Sequence, residues 1–307
     1  MNIPADIPRT YHDEFAANYQ AITQKKDRLL LFAGDQKIEH LNENFYGQSI
    51  HPDASHPKHL FEIAHHAHVG AFATQLGLVA RWGADYPSIN YIIKLNSKTN
   101  IIPHTAHDPI STQLWSVDDV LTFKKNTQLP IRGIGYTVYL GSIYEDRMLH
   151  EAAQAVYQAH LHGLVAILWM YPRGHYVDEH KKDDYLAGAT GVAASLGADF
   201  VKINPPQTTS LQQQKALLNR AVQAAGNTKV ICSGGPRVPH KEFLTRVHHQ
   251  VYEGLIAGSA IGRNIYQQSL PEAIAFARAL RALIIEQASV SEALAIAQHY
   301  EHDQRPV

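Results

Sequence analysis

Eight short apolar runs punctuate the chain, and most are separated by stretches with helical periodicity. The runs are RLLLFAGD (28–35), GAFATQ (70–75), YIIKLN (91–96), IRGIGYTVYLG (131–141), LVAILWMYPRG (164–174), DFVKINP (199–205), KVICSGG (229–235) and GLIAGSAIGRN (254–264). Their length and flanking glycines and prolines predict strands. Between them lie Leu60 to His68, DRMLHEAAQAVYQAHLHG (146–163), DYLAGATGVAASLGA, SLQQQKALLNRAVQAAG and HKEFLTRVHHQVYE, all with the spacing of amphipathic helices. Strands alternating with helices predict a parallel sheet with crossover helices. Eight such units in 307 residues predict an α/β fold, a (β/α)8 TIM barrel forming a single domain over 1–307. A doubly wound open sheet is the alternative. An N-terminal extension of about 1–27 precedes the barrel, and C-terminal helices of about 271–300 follow it. The stretches 36–58 and 97–118 are expected to be long loops.

In such a barrel the chemistry sits at the C-terminal ends of the strands. Period two puts Leu29, Leu31, Ala33 and Asp35 on one face, Val165, Ile167, Trp169 and Tyr171 on another, and Phe200, Lys202 and Asn204 on a third. If these faces point inward, Asp35, Trp169, Tyr171 and Lys202 converge. Each has an ordinary alternative: a helix cap for Asp35, packing for the aromatics, a rim ion pair for Lys202. Together they suggest chemistry. Lys202 interrupts the apolar run of GADFVKINPP, where an unpaired charge is costly. A lysine desolvated there is a neutral nucleophile that condenses with a carbonyl, and the resulting iminium stabilises a carbanion on the adjacent carbon. A nearby Tyr or Asp then moves protons.

Charge and composition narrow the partners. The net charge of −1 shows no basic face, so nucleic acid is not an expected partner. The longest apolar run, near GLVAILWMY, is too short to cross a bilayer, and the first residues lack a secretory apolar core. With Cys232 the sole cysteine, a cytoplasmic protein without membrane partners is expected. The 20 histidines raise a metal alternative, since His65 and His68 can share a helical face. No HExxH or comparable spacing supports it, and solvated helix histidines are the expectation.

CSGGPR and GSAIGRN follow the seventh and eighth runs. Glycine turns there offer backbone N–H groups to a phosphate, Ser233 adds a hydroxyl and Arg263 a forked cation. Tight turns that merely need glycine are the alternative.

WMYPRG (169–174), GADFVKIN (197–204), SGGP (233–236) and GRNIYQ (262–267), in this order, resemble the archaeal-type class I fructose-bisphosphate aldolases. The resemblance implies a (β/α)8 barrel, a lysine Schiff base, no metal or other cofactor, and a homo-oligomer acting on a phosphosugar. It makes Lys202 the Schiff-base lysine, Tyr171 the proton donor and acceptor, and Asp35 an acidic residue that assists proton transfer or holds a hydroxyl. Trp169 and Arg173 then contact substrate, while Ser233, Gly234, Gly235, Gly262 and Arg263 form the phosphate cradle. The implied reaction cleaves fructose 1,6-bisphosphate reversibly to dihydroxyacetone phosphate and glyceraldehyde 3-phosphate.

Where many members have His-Gly after the first-strand Asp, this chain has Gln36 and Lys37. Both are expected at the far end of the substrate, where either Lys37 grips a second phosphate or the loop selects a different aldehyde. Lys94 and Lys98 rank behind Lys202, as phosphate contacts or structural ion pairs, and Cys232 reads as a small buried residue. The departure keeps open a lysine-dependent, transaldolase-like synthase of a modified sugar of the 2-amino-3,7-dideoxy-heptulosonate type. A metal-dependent aldolase and a phosphosugar-binding protein without turnover are the remaining alternatives.

Overall fold

The structure is a computed structural model describing residues 1–40, 44–101 and 108–302. Its strands are β1 (Leu29–Ala33), β2 (Ala71–Thr74), β3 (Tyr91–Lys94), β4 (Ile131–Leu140), β5 (Val165–Pro172), β6 (Phe200–Ile203), β7 (Lys229–Ser233) and β8 (Gly258–Ile261). They close in the order β1–β8–β7–β6–β5–β4–β3–β2, each neighbour parallel, with helices between them. This is the (β/α)8 TIM barrel.

Strand alternation sorts the core into two shells. Leu29, Leu31, Ala71, Ala73, Ile92, Val165, Ile167, Phe200, Ile231 and Ala260 pack inside the cylinder. Their neighbours, among them Leu30, Phe32, Phe72, Leu168, Val201 and Cys232, pack outward with the helices. The barrel is plugged from below by the N-terminal segment. Its helix, His12–Thr23, sends Phe15, Tyr19 and Ile22 into the inner cluster, and Tyr19 stacks on Phe200 with centroids 5.5 Å apart. The floor is hydrophobic and closed, so the opposite mouth is left for polar chemistry.

Two expectations are corrected. The stretch 97–118 is more structured than a long loop. Asn96–Ser97 and Thr112–Gln113 pair as a short antiparallel ribbon, and helix Val117–Thr127 follows a Ser116–Asp119 capping box. The buried Asn96 amide staples it, donating to Ser111 O and Thr137 O and accepting from Thr137 N. The stretch 36–58 contains the one-turn helix Gln36–Glu39, a 3-10 turn at Pro52–Ser55 and the start of helix Pro57–Ala67. Residues 41–43 and 102–107, within these stretches, lie outside the described residues. The last strand is also shorter than its apolar run, because Leu255 at φ 59° breaks the extended backbone before Gly258. His65 meets the Ser88 hydroxyl and His66 pairs with Glu62 on the outer face of Pro57–Ala67. Among the described residues, no helix is long and apolar enough to cross a membrane.

A buried imidazole ties the floor together. His160 Nδ1 meets Asp6 Oδ2 at 2.8 Å, and Nε2 meets Asp199 Oδ2 at 3.3 Å. Burial alone would lower its pKa, but Asp199 and Asp6 together hold it above the usual histidine value. A raised folded pKa stabilises the fold fully below the unfolded value, and that stabilisation is lost as pH rises through the folded one. Replacing Asp6 by Asn is expected to lower the melting temperature at pH 6 and to matter progressively less towards pH 9, as read by thermal unfolding of both chains.

Candidate active site

The barrel mouth holds a cavity of about 440 Å³. Adjacent strands bring its central residues into register. Trp169 on β5 pairs with Lys202 on β6, and Tyr139 on β4 pairs with Tyr171 on β5. Asp35, Trp169, Tyr171 and Lys202 all line this one cavity. Lys202 is 3% exposed and has no carboxylate at ion-pairing distance among the described residues. Its Nζ lies 5.2 Å from the centroid of the Trp169 ring, a cation–π distance. Burial lowers the Lys202 pKa, Asp35 and Glu39 oppose the shift, and Arg263 adds to it. The net direction is down, towards a neutral amine.

The other groups complement it. Asp35 stands at the N-cap of Gln36–Glu39 but makes no capping bond, and its buried Oδ1 has no partner among the described residues. A carboxylate oxygen left so is unusual outside ligand sites. Burial, then Asp35 and Glu39, push the Tyr171 phenol well above its ordinary value, so it rests protonated. Gly135 makes room for this arrangement, because a Cβ there would lie 2.3 Å from Trp169 Cζ3 and 3.3 Å from Lys94 Cδ.

Across the mouth, Ser233, Gly234, Gly235, Gly262 and Arg263 line the same cavity. Ser233 Oγ donates to Asn204 Oδ1 at 2.8 Å. The carbonyl oxygens of this turn are tied back: Arg246 and Asn264 hold Gly234 O, and Asn264 also reaches Gly235 O and Pro236 O. The Gly235 and Gly262 amide N–H groups have no backbone acceptor among the described residues. Arg263 Nε is likewise buried without a partner. A side chain at 262 would strike both Gln36 Oε1 and Ala33 O, within 2.7 Å. Gln36 also lines the cavity, and its Oε1 accepts from Tyr266 OH at 3.0 Å, which fastens the loop after β1 to the turn after β8.

Arg173 lines the cavity beyond β5, with its guanidinium carbon 5.7 Å from the Tyr139 ring centroid. Its side chain has no hydrogen bond or carboxylate partner among the described residues.

Lys37 does not join this group. Its Nζ donates to Ser55 O at 2.6 Å and sits 4.2 Å from the Phe45 ring centroid. At 100° per residue, Lys37 faces away from Asp35 and Glu39, which share one side of the helix. Neither Lys94 nor Lys98 is an ion pair or a lining residue. Lys94 is 3% exposed, and its Nζ is held by Asn96 Oδ1 at 2.7 Å and Asn96 O at 3.0 Å. Burial brings it down to about 8. Lys98 binds Asn100 Oδ1 at 2.9 Å. Cys232 is wholly buried on the outer side of β7, and burial pushes its thiol up to about 12.

Sequence reasoning missed Glu39, His40, Thr137, Tyr139 and Lys182, and passed over Asn204, all lining residues. Period two along β4 from Gly135 was the available signal for Thr137 and Tyr139. Asn204 follows Lys202 by the same rule. Glu39 shares the side of Asp35 in a strand and in a helical turn alike; what needed the helix was the separation of Glu39 from Lys37, which period two would put on the same face. Lys182, in the 3-10 segment Glu179–Tyr185 and paired with Glu179, carried no signal.

A closed parallel barrel whose mouth holds a buried lysine with no carboxylate partner among the described residues, beside glycine turns with unpaired backbone N–H groups, has the parts of an aldolase-type site. The profile of the DeoC/LacD family aldolases matches residues 29–268. A protein of Methanocaldococcus jannaschii, described as fructose-bisphosphate aldolase/6-deoxy-5-ketofructose 1-phosphate synthase, is 45% identical over 296 residues, covering 96% of this chain and 94% of its own. The solved fructose-bisphosphate aldolase from Slackia heliotrinireducens superposes with a TM-score of 0.94 at 44% identity, covering 100% of this chain and 96% of that one. An archaeal fructose-1,6-bisphosphate aldolase, solved with its catalytic lysine covalently bound to the carbinolamine intermediate, gives a TM-score of 0.74 at 28% identity, covering 88% and 99%. The chain belongs to the DeoC/LacD family and, within it, to the archaeal-type class I fructose-bisphosphate aldolases.

Gly135→Ala is expected to displace Trp169 and cost about 1–3 kcal/mol of stability. Denaturant unfolding measures the loss, and a shift in tryptophan emission on the folded variant reports the moved ring.

Proposed function

We propose that the chain is a Schiff-base aldolase that reversibly cleaves fructose 1,6-bisphosphate. One observation carries this reading. The buried amine of Lys202 on β6 stands between two arginines without carboxylate partners, Arg173 after β5 and Arg263 after β8, three strands apart in a ring of eight. A linear ketose with a phosphate at each end spans such a site. The phosphate next to the ketone lies in the 233–235 and 262–263 turns, and the distal phosphate lies against Arg173.

Neutral Lys202 attacks the C2 ketone, and loss of water gives an iminium. The C3–C4 bond then breaks and its electrons pass into the iminium, forming an enamine. The C4 hydroxyl loses its proton as the aldehyde forms. Tyr171, protonated at rest, receives that proton as it passes its own to Asp35, the carboxylate acting on it most strongly. Glyceraldehyde 3-phosphate leaves, the enamine takes at C3 the proton held by Asp35, passed back through Tyr171, and water adds to the resulting iminium to release dihydroxyacetone phosphate and the free Lys202 amine. In the synthetic direction Tyr171 is the acid.

The second name of the Methanocaldococcus relative favours a further aldehyde. Breaking C3–C4 of 6-deoxy-5-ketofructose 1-phosphate leaves dihydroxyacetone phosphate and a three-carbon 2-oxoaldehyde. The Lys202 end of the site serves both reactions, and the aldehyde end of the site tells them apart.

Borohydride in the presence of dihydroxyacetone phosphate is expected to label Lys202 in the wild type, as located by peptide mapping. Lys202→Met should show no labelled peptide and background cleavage; substantial residual cleavage by that variant overturns the mechanism. Arg263→Ala should lower kcat/KM about 10–100-fold for both fructose 1-phosphate and fructose 1,6-bisphosphate. Arg173→Ala should do so for the bisphosphate alone, as steady-state kinetics on the two substrates will show.

A further inference from the structure

We propose that Glu39 selects the aldehyde partner by accepting a hydrogen bond from the hydroxyl on the carbon next to its carbonyl. This rests on the aldolase function proposed above and deepens it. Glu39 is half-buried and lines the cavity from the last position of the helix Gln36–Glu39. Tyr139 OH donates to its Oε1 at 2.5 Å and fixes the carboxylate at the mouth. No hydrogen bond is made to Oε2 among the described residues, so one acceptor oxygen is available to a ligand.

The position matches the aldehyde half of the substrate. Tyr139 is the cross-strand partner of Tyr171, the proposed proton donor to the aldehyde oxygen. The Arg173 guanidinium lies over the same Tyr139 ring. The carboxylate is therefore anchored to the side chain flanked by the group that meets the aldehyde oxygen and the group that meets the distal phosphate. In glyceraldehyde 3-phosphate the 2-hydroxyl lies between those two ends. It donates to Glu39, whereas the oxo group of a 2-oxoaldehyde only accepts and meets a carboxylate that cannot donate. A site built to bond a substrate hydroxyl discriminates strongly against an analogue without it, because a buried polar group is then left unpaired.

The test compares condensation of dihydroxyacetone phosphate with glyceraldehyde 3-phosphate and with methylglyoxal in the wild type, Glu39→Gln and Tyr139→Phe. Glutamine keeps an oxygen for Tyr139 and removes the charge. Glu39→Gln is expected to lower the kcat/KM ratio of the hydroxyaldehyde to the oxoaldehyde at least about tenfold. Tyr139→Phe frees the carboxylate and should lower the ratio by a smaller factor. An equal loss with both aldehydes, or an unchanged ratio, in folded Glu39→Gln overturns the assignment. If Glu39→Gln does not fold, the Tyr139→Phe ratio decides. Borohydride labelling of the wild type by dihydroxyacetone phosphate is run alongside: its absence would overturn the aldolase reading itself, while labelling with an unchanged ratio removes only the role of Glu39.

Discussion

A single amine placed where no carboxylate neutralises it organises the mouth of this barrel. Burying a charged lysine beside Trp169 is unfavourable, and the molecule answers by lowering the pKa instead of supplying an ion pair. Asp35 and Glu39 act on the amine electrostatically but stay beyond ion-pairing distance. That balance keeps the amine both buried and available. A direct salt bridge would hold Lys202 protonated, and an entirely apolar pocket would give the proton of a carbinolamine nowhere to go.

The surroundings follow from that placement. The barrel is closed below the amine, where Phe15, Tyr19 and Ile22 fill the floor. Lys202 lies one residue before β6 ends at Ile203, which brings its side chain to the cavity at the mouth. The anion turns are held open by side chains behind them. Asn264 and Arg246 occupy the carbonyl oxygens of 234–236, and the Gly235 and Gly262 N–H groups are left without a backbone acceptor among the described residues. Lys94 shows the contrasting treatment of a buried lysine: its Nζ also lies near the Trp169 ring, at 5.3 Å, but Asn96 takes its ammonium group with two neutral oxygens and it does not line the cavity.

Two cations of opposite fate explain the departure at 36–37. Lys37 is an obvious phosphate ligand on charge alone, yet it caps the carbonyls of Ala54 and Ser55 from the far side of its helix. Gln36 remains at the mouth, bonded to Tyr266 and packed against Gly262. The loop after β1 therefore contributes a neutral amide and a carboxylate to the cavity in place of a second cation. The cations that line the mouth beyond β5 are Arg173 and Lys182.

The eight strands, and the inward faces of the first, fifth and sixth, were legible in the sequence, because strand alternation is local and repeats every two residues. The same rule placed Asp35, Trp169, Tyr171 and Lys202 at one mouth. It extended to Tyr139 and Asn204 as well. What the chain alone did not decide depends on contacts between distant segments. Glu39 reaches the cavity because residues 36–39 form one helical turn and because Tyr139, 100 residues on, holds its carboxylate. Lys37 leaves it for the same helical reason. A one-turn helix has too few residues to show a periodicity, so which of its faces meets the barrel is settled only when the strands have closed and the neighbouring side chains are in place.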